Sequence, residues 1–325
     1  MSLRLQVKKP KEQSTEYDVA IIGSGPASLS CGLYSARYRM KTIIIGDTIG
    51  GQLNLTNIVE NYLGFPKITA TDLISRFKKH VEEYDVEFNL DRVNSIKKEG
   101  SYFIIRTVNG KEIKAKSIVL AIGLKRRKLN VPGENEFAGK GVSYCSICDA
   151  AFFKDAAAVA IVGGGDSALE GALLLSEYAK KVYLIHRRDQ FRGQPILVNA
   201  VKSRKNIEIV YNSIVKEIKG DKKVNSVKIK NVVSGEEREL QVNGIFIEIG
   251  FEPDIELPRS IGIELDENGF IKVNEYMSTN VEGVFAAGDC TNMWKGFRQI
   301  ITATVQGAVA AYSAYKYLSE KWNKN

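Results

Sequence analysis

Asp18-Val19-Ala20-Ile21-Ile22-Gly23-Ser24-Gly25-Pro26-Ala27-Ser28 is the stretch that decides the fold. Its first half is an apolar run of strand type, and its second half is a glycine-rich turn. A helix-like segment follows, with Leu29, Leu33, Ala36 and Tyr38 on one face, and then a second strand, Thr42–Ile45. Strand, glycine turn, helix and strand in that order make a βαβ unit of dinucleotide-binding size. Gly23 permits a tight bend, Gly25 lets a phosphate approach the backbone, and the small Ser28 lets the helix pack on the strand. The helix N-terminus behind the turn carries free N–H groups and the positive end of the macrodipole, both suited to a pyrophosphate.

One such turn is weak evidence, because glycine-rich turns are common. The unit recurs, however. Ala157–Val162 leads into Gly163-Gly164-Gly165-Asp166-Ser167-Ala168, a helix with Leu169, Leu173 and Leu174, and the strand Lys181–Ile185. Each unit is followed by strand-like stretches, with a turn at Asn109-Gly110 in the first half. The halves end in Ser117–Gly123 and Asn243–Gly250. Thr71 or Asp72 is the expected cap of a short amphipathic helix carrying Leu73, Ile74, Phe77 and Val81. Phe251-Glu252-Pro253 reads as a linker, since Pro cannot continue a strand ladder. The block after it holds Gly283–Asp289 and a helix from about Gln299, too little for a domain of its own. It is expected to return and complete the first domain.

The fold class that follows is α/β, with two Rossmann-like dinucleotide-binding domains, the second inserted into the first. The expected boundaries are a flexible tail over 1–16, a discontinuous first domain over 17–125 and 253–325, and a second domain over 126–252.

Asp47 and Arg187 stand at equivalent places, each 24 residues past the first glycine of its turn. This position meets the adenosine ribose. Asp47 fits an uncharged ribose, as in FAD. In the second unit the chain instead reads His186-Arg187-Arg188, with Arg192 close behind. Cationic groups there suit a 2′-phosphate and favour NADPH over NADH.

The chain has 325 residues, with 44% hydrophobic and 26% charged residues, the composition of an ordinary globular protein of two domains. No apolar run reaches the roughly 18 residues of a membrane helix, and no apolar segment follows the polar N-terminus to make a signal peptide. A cytoplasmic protein is expected. The net charge of +8 is spread along the chain rather than gathered in a block. It reads as solvated surface, compatible with anionic cofactors and an acidic protein partner, rather than as a nucleic-acid site.

Four cysteines are present: Cys31, Cys145, Cys148 and Cys290. Cys145-Ser146-Ile147-Cys148-Asp149 lies between the two units. Two thiols at this spacing on a helix start can close a small disulfide, and the helix terminus lowers a thiolate pKa. Zinc needs four ligands, usually two close pairs. Cys31, Cys290 and the only histidines, His80 and His186, supply no second pair, so no metal is expected.

Together the ordered motifs resemble the low-molecular-weight thioredoxin reductases of bacteria and archaea, FAD- and NADPH-dependent pyridine nucleotide-disulfide oxidoreductases. They are Gly23-Ser24-Gly25-Pro26-Ala27, Gly50-Gly51-Gln52-Leu53, Cys145–Asp149, Gly163–Ala168, His186–Asp189, Gly283–Asp289 and Arg298-Gln299, running from about Asp18 to the C-terminus. The resemblance implies that FAD is held by Gly23, Ser24, Gly25, Pro26, Ala27, Asp47, Gly51, Gln52, Asn61, Val93, Gly123, Gly288, Asp289, Arg298, Gln299 and Ile300. It assigns NADPH to Gly163, Gly165, Asp166, Ser167, His186, Arg187, Arg188 and Arg192. Cys148 would face the flavin, Cys145 would exchange with a thioredoxin or glutaredoxin-like disulfide, and Asp149 would protonate the departing thiolate. Asp149 is equally placed to interact with the helix dipole. The family is homodimeric and rotates its inserted domain, for which Gly123–Arg127 and Gly250–Pro253 would serve as linkers.

Three departures from the family pattern stand out: the pair Ser146-Ile147 between the cysteines, Ser28 in the first turn, and Ile122. Competing readings are a flavoenzyme of the same architecture with ferredoxin, oxygen or a peroxiredoxin as acceptor, and a non-catalytic FAD/NADP sensor. Ferredoxin-type relatives lack the cysteine pair, which counts against the first. Cys31 is expected in the core, Cys290 near FAD, His80 on a lysine-rich surface, and Tyr312, Tyr315 and Tyr317 in core or dimer interface. Trp294 and Phe297 would cover the flavin or meet the partner.

Overall fold

The computed structural model describes residues 16–55, 58–294 and 297–322. These fall into two compact units: one holds the described residues up to Asn54, Ile58–Gly123 and those from Pro253 onward; the other holds Leu124–Glu252 together with Leu55. Residues 1–15 of the expected tail lie outside the described residues. Glu16 does not belong with a tail, because it is the first residue of strand β1 (Glu16–Ile22), in register with Lys114.

The first unit is built on a seven-stranded sheet. After β1 come α1 (Pro26–Arg37), β2 (Thr42–Ile45), the short pair β3 (Ile58–Val59) and β4 (Ile68–Thr69), α2 (Ala70–Glu82), β5 (Val86–Asn89), β6 (Val93–Glu99), β7 (Tyr102–Thr107) and β8 (Glu112–Leu120). The sheet order is β5-β2-β1-β8-β7-β6. Strand β8 serves two purposes: its first half pairs antiparallel with β7, while Ile118–Leu120 also pairs parallel with a late strand, Val284–Ala286. Val19–Ile22 are all buried, as a strand covered on both faces requires.

On helix α1, Leu29 is buried and Leu33 and Tyr38 pack partly buried against the same core; the fully buried residues are Ala27, Ser28, Leu29, Cys31, Gly32 and Ser35. Those small residues allow close approach of the C-terminal helix, Ile300–Trp322, whose own buried face is Ala303, Gln306, Gly307, Ala310, Ala311, Ser313, Ala314 and Leu318. A Cβ at Gly307 would lie 2.1 Å from the Ala27 carbonyl oxygen. The cap of α2 is Thr69, not Thr71 or Asp72. Its Oγ1 accepts the Asp72 N–H at 3.1 Å and donates to Asp72 Oδ2 at 2.7 Å, a reciprocal arrangement that satisfies an orphan helix donor.

The second unit follows with β9 (Leu124–Arg126), β10 (Val142–Ser143), α3 (Ser146–Asp149), β11 (Val159–Gly163), α4 (Asp166–Tyr178), β12 (Val182–Ile185), α5 (Pro195–Ser203), β13 (Ile207–Val210), β14 (Ser213–Gly220), β15 (Val224–Asn231), β16 (Glu237–Gln241), β17 (Ile245–Glu248) and β18 (Phe251–Pro253). A parallel sheet in the order β10-β17-β11-β12-β13 carries the βαβ unit, and β14-β15-β16 form a separate antiparallel sheet. Phe251–Pro253, read as an unpaired linker, is a short strand on β9. Pro253 ends that strand, where its missing N–H costs nothing. The first unit resumes with α6 (Glu256–Ser260), β19 (Val284–Ala286) and α7 (Ile300–Trp322).

Candidate active site

Three groups of residues, each at the C-terminal end of a parallel strand, bring the predicted positions together. That end of an open α/β sheet is where ligands bind.

The first follows β1. Gly23 has φ +114°, and a Cβ there would meet the Ala121 carbonyl oxygen at 2.1 Å, so the bend admits only glycine. Gly25 is the N-cap of α1, has no side-chain cap, and faces open space, with nothing within 4 Å of a built Cβ. Pro26 opens the helix and Ala27 packs beneath it. Ser24 Oγ donates to the Thr48 carbonyl at 2.7 Å and the Ser24 carbonyl accepts the Gly50 N–H at 2.8 Å. The turn is thereby tied to the loop carrying the exposed Asp47 and Gly51. Gln52 Nε2 lies 3.5 Å from a Cβ built on Gly123.

Gly288-Asp289, after β19, borders the same turn: a Cβ at Gly288 would lie 3.0 Å from that of Ala27. The Gly288 N–H is donated to buried Gln306 Oε1 at 2.8 Å, which also accepts Thr291 Oγ1 at 2.8 Å. Burial raises the Asp289 carboxyl above its ordinary value, with Arg298 acting against it. Arg298 Nε donates to the Asp289 carbonyl at 3.2 Å, and its guanidinium lies 4.1 Å over the Phe270 ring. Asn61 Nδ2 donates to Gln299 Oε1 at 3.0 Å, and Ile300 begins α7. Val93 begins β6 and packs on the core formed by Tyr17, Ile43 and Phe103. An uncapped helix start, the open space over Gly25 and a buried carboxyl beside it fit the pyrophosphate and polar groups of FAD.

The second group follows β11. Gly165 is the uncapped N-cap of α4 and faces open space. A Cβ at Gly163 would clash with Ala168 Cβ at 2.4 Å, which is the close helix–strand packing expected of the small third position. Asp166 Oδ1 accepts the Gln194 N–H at 2.7 Å and its Oδ2 accepts Gln194 Nε2 at 3.2 Å, while Ser167 is exposed. Arg187, Arg188 and Arg192 are exposed, and Arg192 N–H donates to the Gly164 carbonyl at 2.8 Å. His186 differs from them. It is buried beneath the turn, its ring against Gly164 and its Nε2 2.9 Å from the Gln190 carbonyl. Burial lowers its pKa, aided by the charges of Arg188 and Arg192. The cluster fits a phosphorylated nucleotide, with three exposed guanidinium groups at the ribose end.

The third group is the Cys145–Cys148 disulfide, with sulfurs 2.11 Å apart. Cys145 caps α3, and its Sγ accepts the Cys148 N–H at 3.2 Å. Cys148 is exposed and Cys145 half-buried. Asp149 Oδ2 accepts the Ser143 hydroxyl at 2.6 Å, and Ser143 Oγ accepts the Cys145 N–H at 3.0 Å. A cleft of about 560 Å³ beside the helix is lined by Ser143, Asp149, Lys140, Lys154, Lys223 and the exposed Phe152. Cys31 and Cys290 are buried, and burial pushes each thiol up to about 12.

Sequence reasoning missed Ser143, Gln306 and Glu248. Glu248 accepts both the N–H and the hydroxyl of Ser146. It is the one charge in Ile245-Phe246-Ile247-Glu248-Ile249, at the strand end where parallel sheets place ligand chemistry. That signal was available. Gln306 sits mid-helix with nothing local to distinguish it.

Residues 17–307 match the family model of the pyridine nucleotide-disulphide oxidoreductases. The chain is 42% identical over 316 residues to a thioredoxin reductase of Peptoclostridium acidaminophilum, the match covering 95% of this chain and 99% of the relative. Among solved structures it is similar to the thioredoxin reductase of Lactococcus lactis, with a TM-score of 0.84 and 42% identity over 94% of this chain and 99% of that one. It is also similar to that of T. acidophilum, with a TM-score of 0.81 and 37% identity over 93% and 99% of the two chains.

Proposed function

The chain belongs to the pyridine nucleotide-disulphide oxidoreductase family, with thioredoxin reductases as its full-length relatives, and on that footing we propose that it uses NADPH to reduce the disulfide of a thioredoxin or glutaredoxin-like protein. FAD and NADPH are its cofactors. When bound, FAD would supply a two-electron carrier between reduced nicotinamide and the cysteine sulfurs.

The observation that carries the reading is the Cys145–Cys148 disulfide on a short helix of the nucleotide-turn unit. Once the pair is reduced, the Cys145 thiolate attacks one sulfur of the partner disulfide, forming a mixed disulfide and releasing the partner's other sulfur as a thiolate. The Cys148 thiolate then attacks Cys145 Sγ, re-forming the internal disulfide and releasing the second partner thiolate. Asp149 supplies a proton to a departing sulfur, and Ser143 holds that carboxyl in place. Cys148 is the cysteine assigned to the flavin and Cys145 the one assigned to the partner.

Gly23–Ala27, Asp47, Gly51, Gln52, Asn61, Val93, Gly123, Gly288, Asp289 and Arg298–Ile300 are assigned to FAD. Gly163, Gly165, Asp166 and Ser167 are assigned to the NADPH pyrophosphate, and Arg187, Arg188 and Arg192 to its 2′-phosphate. The buried His186 is assigned a supporting place under the nucleotide turn. The lysine-lined cleft with exposed Phe152 supports a protein partner bearing acidic and apolar groups. The assembly we assign is a cytoplasmic homodimer; exposed Tyr34, Ile301, Val305, Tyr312 and Tyr315 on α1 and α7 support it by offering an apolar face to a second copy. No helix among the described residues is long and apolar enough to cross a membrane.

Anaerobic titration of the FAD-loaded protein with NADPH tests this reading. The flavin and the Cys145–Cys148 disulfide are each two-electron acceptors, so wild type should consume one more equivalent than Cys145→Ser. Equal consumption by the two would exclude the disulfide as an electron acceptor.

A further inference from the structure

Glu248 ends β17, in register with Gly163 of the nucleotide turn. Its backbone carbonyl bounds that turn, since a Cβ at Gly163 would lie 2.4 Å from it. Its side chain turns to the redox helix instead, where Oε1 accepts the Ser146 N–H at 2.9 Å and the Ser146 hydroxyl at 2.6 Å. Ser146 directly follows Cys145 and is only 2% exposed. Helix α4 closes over it through Gly171, where a Cβ would stand 2.6 Å from Ser146 Oγ. The contact is therefore held on two sides.

This arrangement bears on the sulfur chemistry. Backbone N–H groups at the start of a Cys-x-x-Cys helix are the donors that stabilise a thiolate. Here the Cys148 N–H points to Cys145 Sγ, while the Ser146 N–H is committed to a carboxylate. A nearby negative charge disfavours thiolate formation. Reduction of the disulfide takes up two electrons and forms thiols that ionise in part. Penalising that ionised form makes the disulfide harder to reduce and the dithiol a stronger reductant. Arg126 on β9 opposes this, its charge interacting with both Glu248 and Asp149; Asp149 and, from α4, Asp166 and Glu170 add negative charge.

We propose that Glu248, acting through Ser146, is a positioning residue that sets the redox potential of the Cys145–Cys148 couple at a more reducing value than the turn alone would have. The proposal rests on the reading of that pair as the redox couple.

Glu248→Gln keeps an acceptor for Ser146 and removes the charge; Ser146→Ala removes the hydroxyl link. Each FAD-loaded full-length variant is equilibrated with a series of glutathione redox buffers, quenched by alkylation, and its Cys145–Cys148 state read by mass spectrometry. The pH dependence of alkylation of the reduced pair is measured alongside. The expected result for Glu248→Gln is a shift toward the dithiol of about tenfold, equivalent to about 30 mV for a two-electron couple, with thiolate formation moving to lower pH. Ser146→Ala should shift in the same direction, and the double variant no further than Glu248→Gln. A shift of less than about twofold in both single variants, a shift toward the disulfide, or full additivity in the double variant overturns the proposal. Should Cys145→Ser retain thioredoxin reduction, the functional reading fails instead, whatever the Glu248 variants do.

Discussion

Ser143 donates its hydroxyl to Asp149 Oδ2 at 2.6 Å, joining the strand before the disulfide to the last residue of the helix that carries it. Ser143 Oγ also accepts the Cys145 N–H at 3.0 Å, so one serine fixes both the carboxyl and the first cysteine. If Asp149 delivers the proton to a departing thiolate, Asp149→Asn should lower kcat for thioredoxin reduction by roughly 10². The rate at which NADPH bleaches the flavin should be unchanged. Ser143→Ala should lower kcat in the same direction by less. Stopped-flow traces at the flavin band, set against steady-state turnover, separate the two half-reactions.

Arg187, Arg188 and Arg192 stand exposed at the ribose end of the second nucleotide turn. A charge-assisted hydrogen bond to phosphate contributes about 1.5–3 kcal/mol. Arg187→Ala with Arg188→Ala should therefore raise KM for NADPH by at least about tenfold. KM for NADH should stay within a factor of about two, because that ribose bears no phosphate. Parallel loss with both nucleotides would remove these residues from 2′-phosphate recognition.

His186 gives the second unit a pH dependence of definite sign. Burial, then the charges of Arg188 and Arg192, depress its pKa in the fold below the ordinary 6.5. Above 6.5 both folded and unfolded forms are neutral and its full contribution is present. As pH falls below that value the unfolded chain takes up a proton first, and stability declines through the folded pKa. Urea midpoints between pH 8 and pH 5 should fall more steeply for wild type than for His186→Asn. Parallel curves would contradict the burial of a neutral imidazole under Gly164.

Gly307 and Ala27 are in near contact, with 2.1 Å between a Cβ built on the one and the carbonyl oxygen of the other. Gly307→Ala must push α7 away from α1, and overpacking of this kind costs about 1–3 kcal/mol. Because Ala27 lies in the first nucleotide turn, the variant should also purify with less FAD. Denaturant unfolding and the flavin-to-protein absorbance ratio report the two effects independently.

The legible part of this chain was its punctuation. Strand, glycine turn and helix leave a local signature, so Gly23, Gly25, Gly163 and Gly165 could be read without coordinates, as could the helix start at the cysteine pair and the onset of α7. What escaped depends on tertiary contact. Ser28, Gly32 and Ser35 are buried on α1 beside Leu29, and a reading of its apolar residues passed over them, because a tight helix pair selects small residues that carry no hydrophobic periodicity. Thr69 caps α2 where Thr71 or Asp72 was expected, because neighbouring polar residues at a helix start are hard to rank from propensity. Phe251–Pro253 became a strand only because β9 lies alongside it. Glu248 was passed over although it is the lone charge of an apolar strand, and its partner Ser146 lies 102 residues away in the chain.

The most direct measurement of the central claim is NADPH-dependent reduction of a thioredoxin by the FAD-loaded Cys145→Ser protein, followed at the flavin and thiol wavelengths together. Flavin bleaching should proceed as in wild type while thioredoxin thiols fail to appear. Continued thioredoxin turnover without the Cys145 sulfur would contradict the whole scheme of electron delivery through this disulfide.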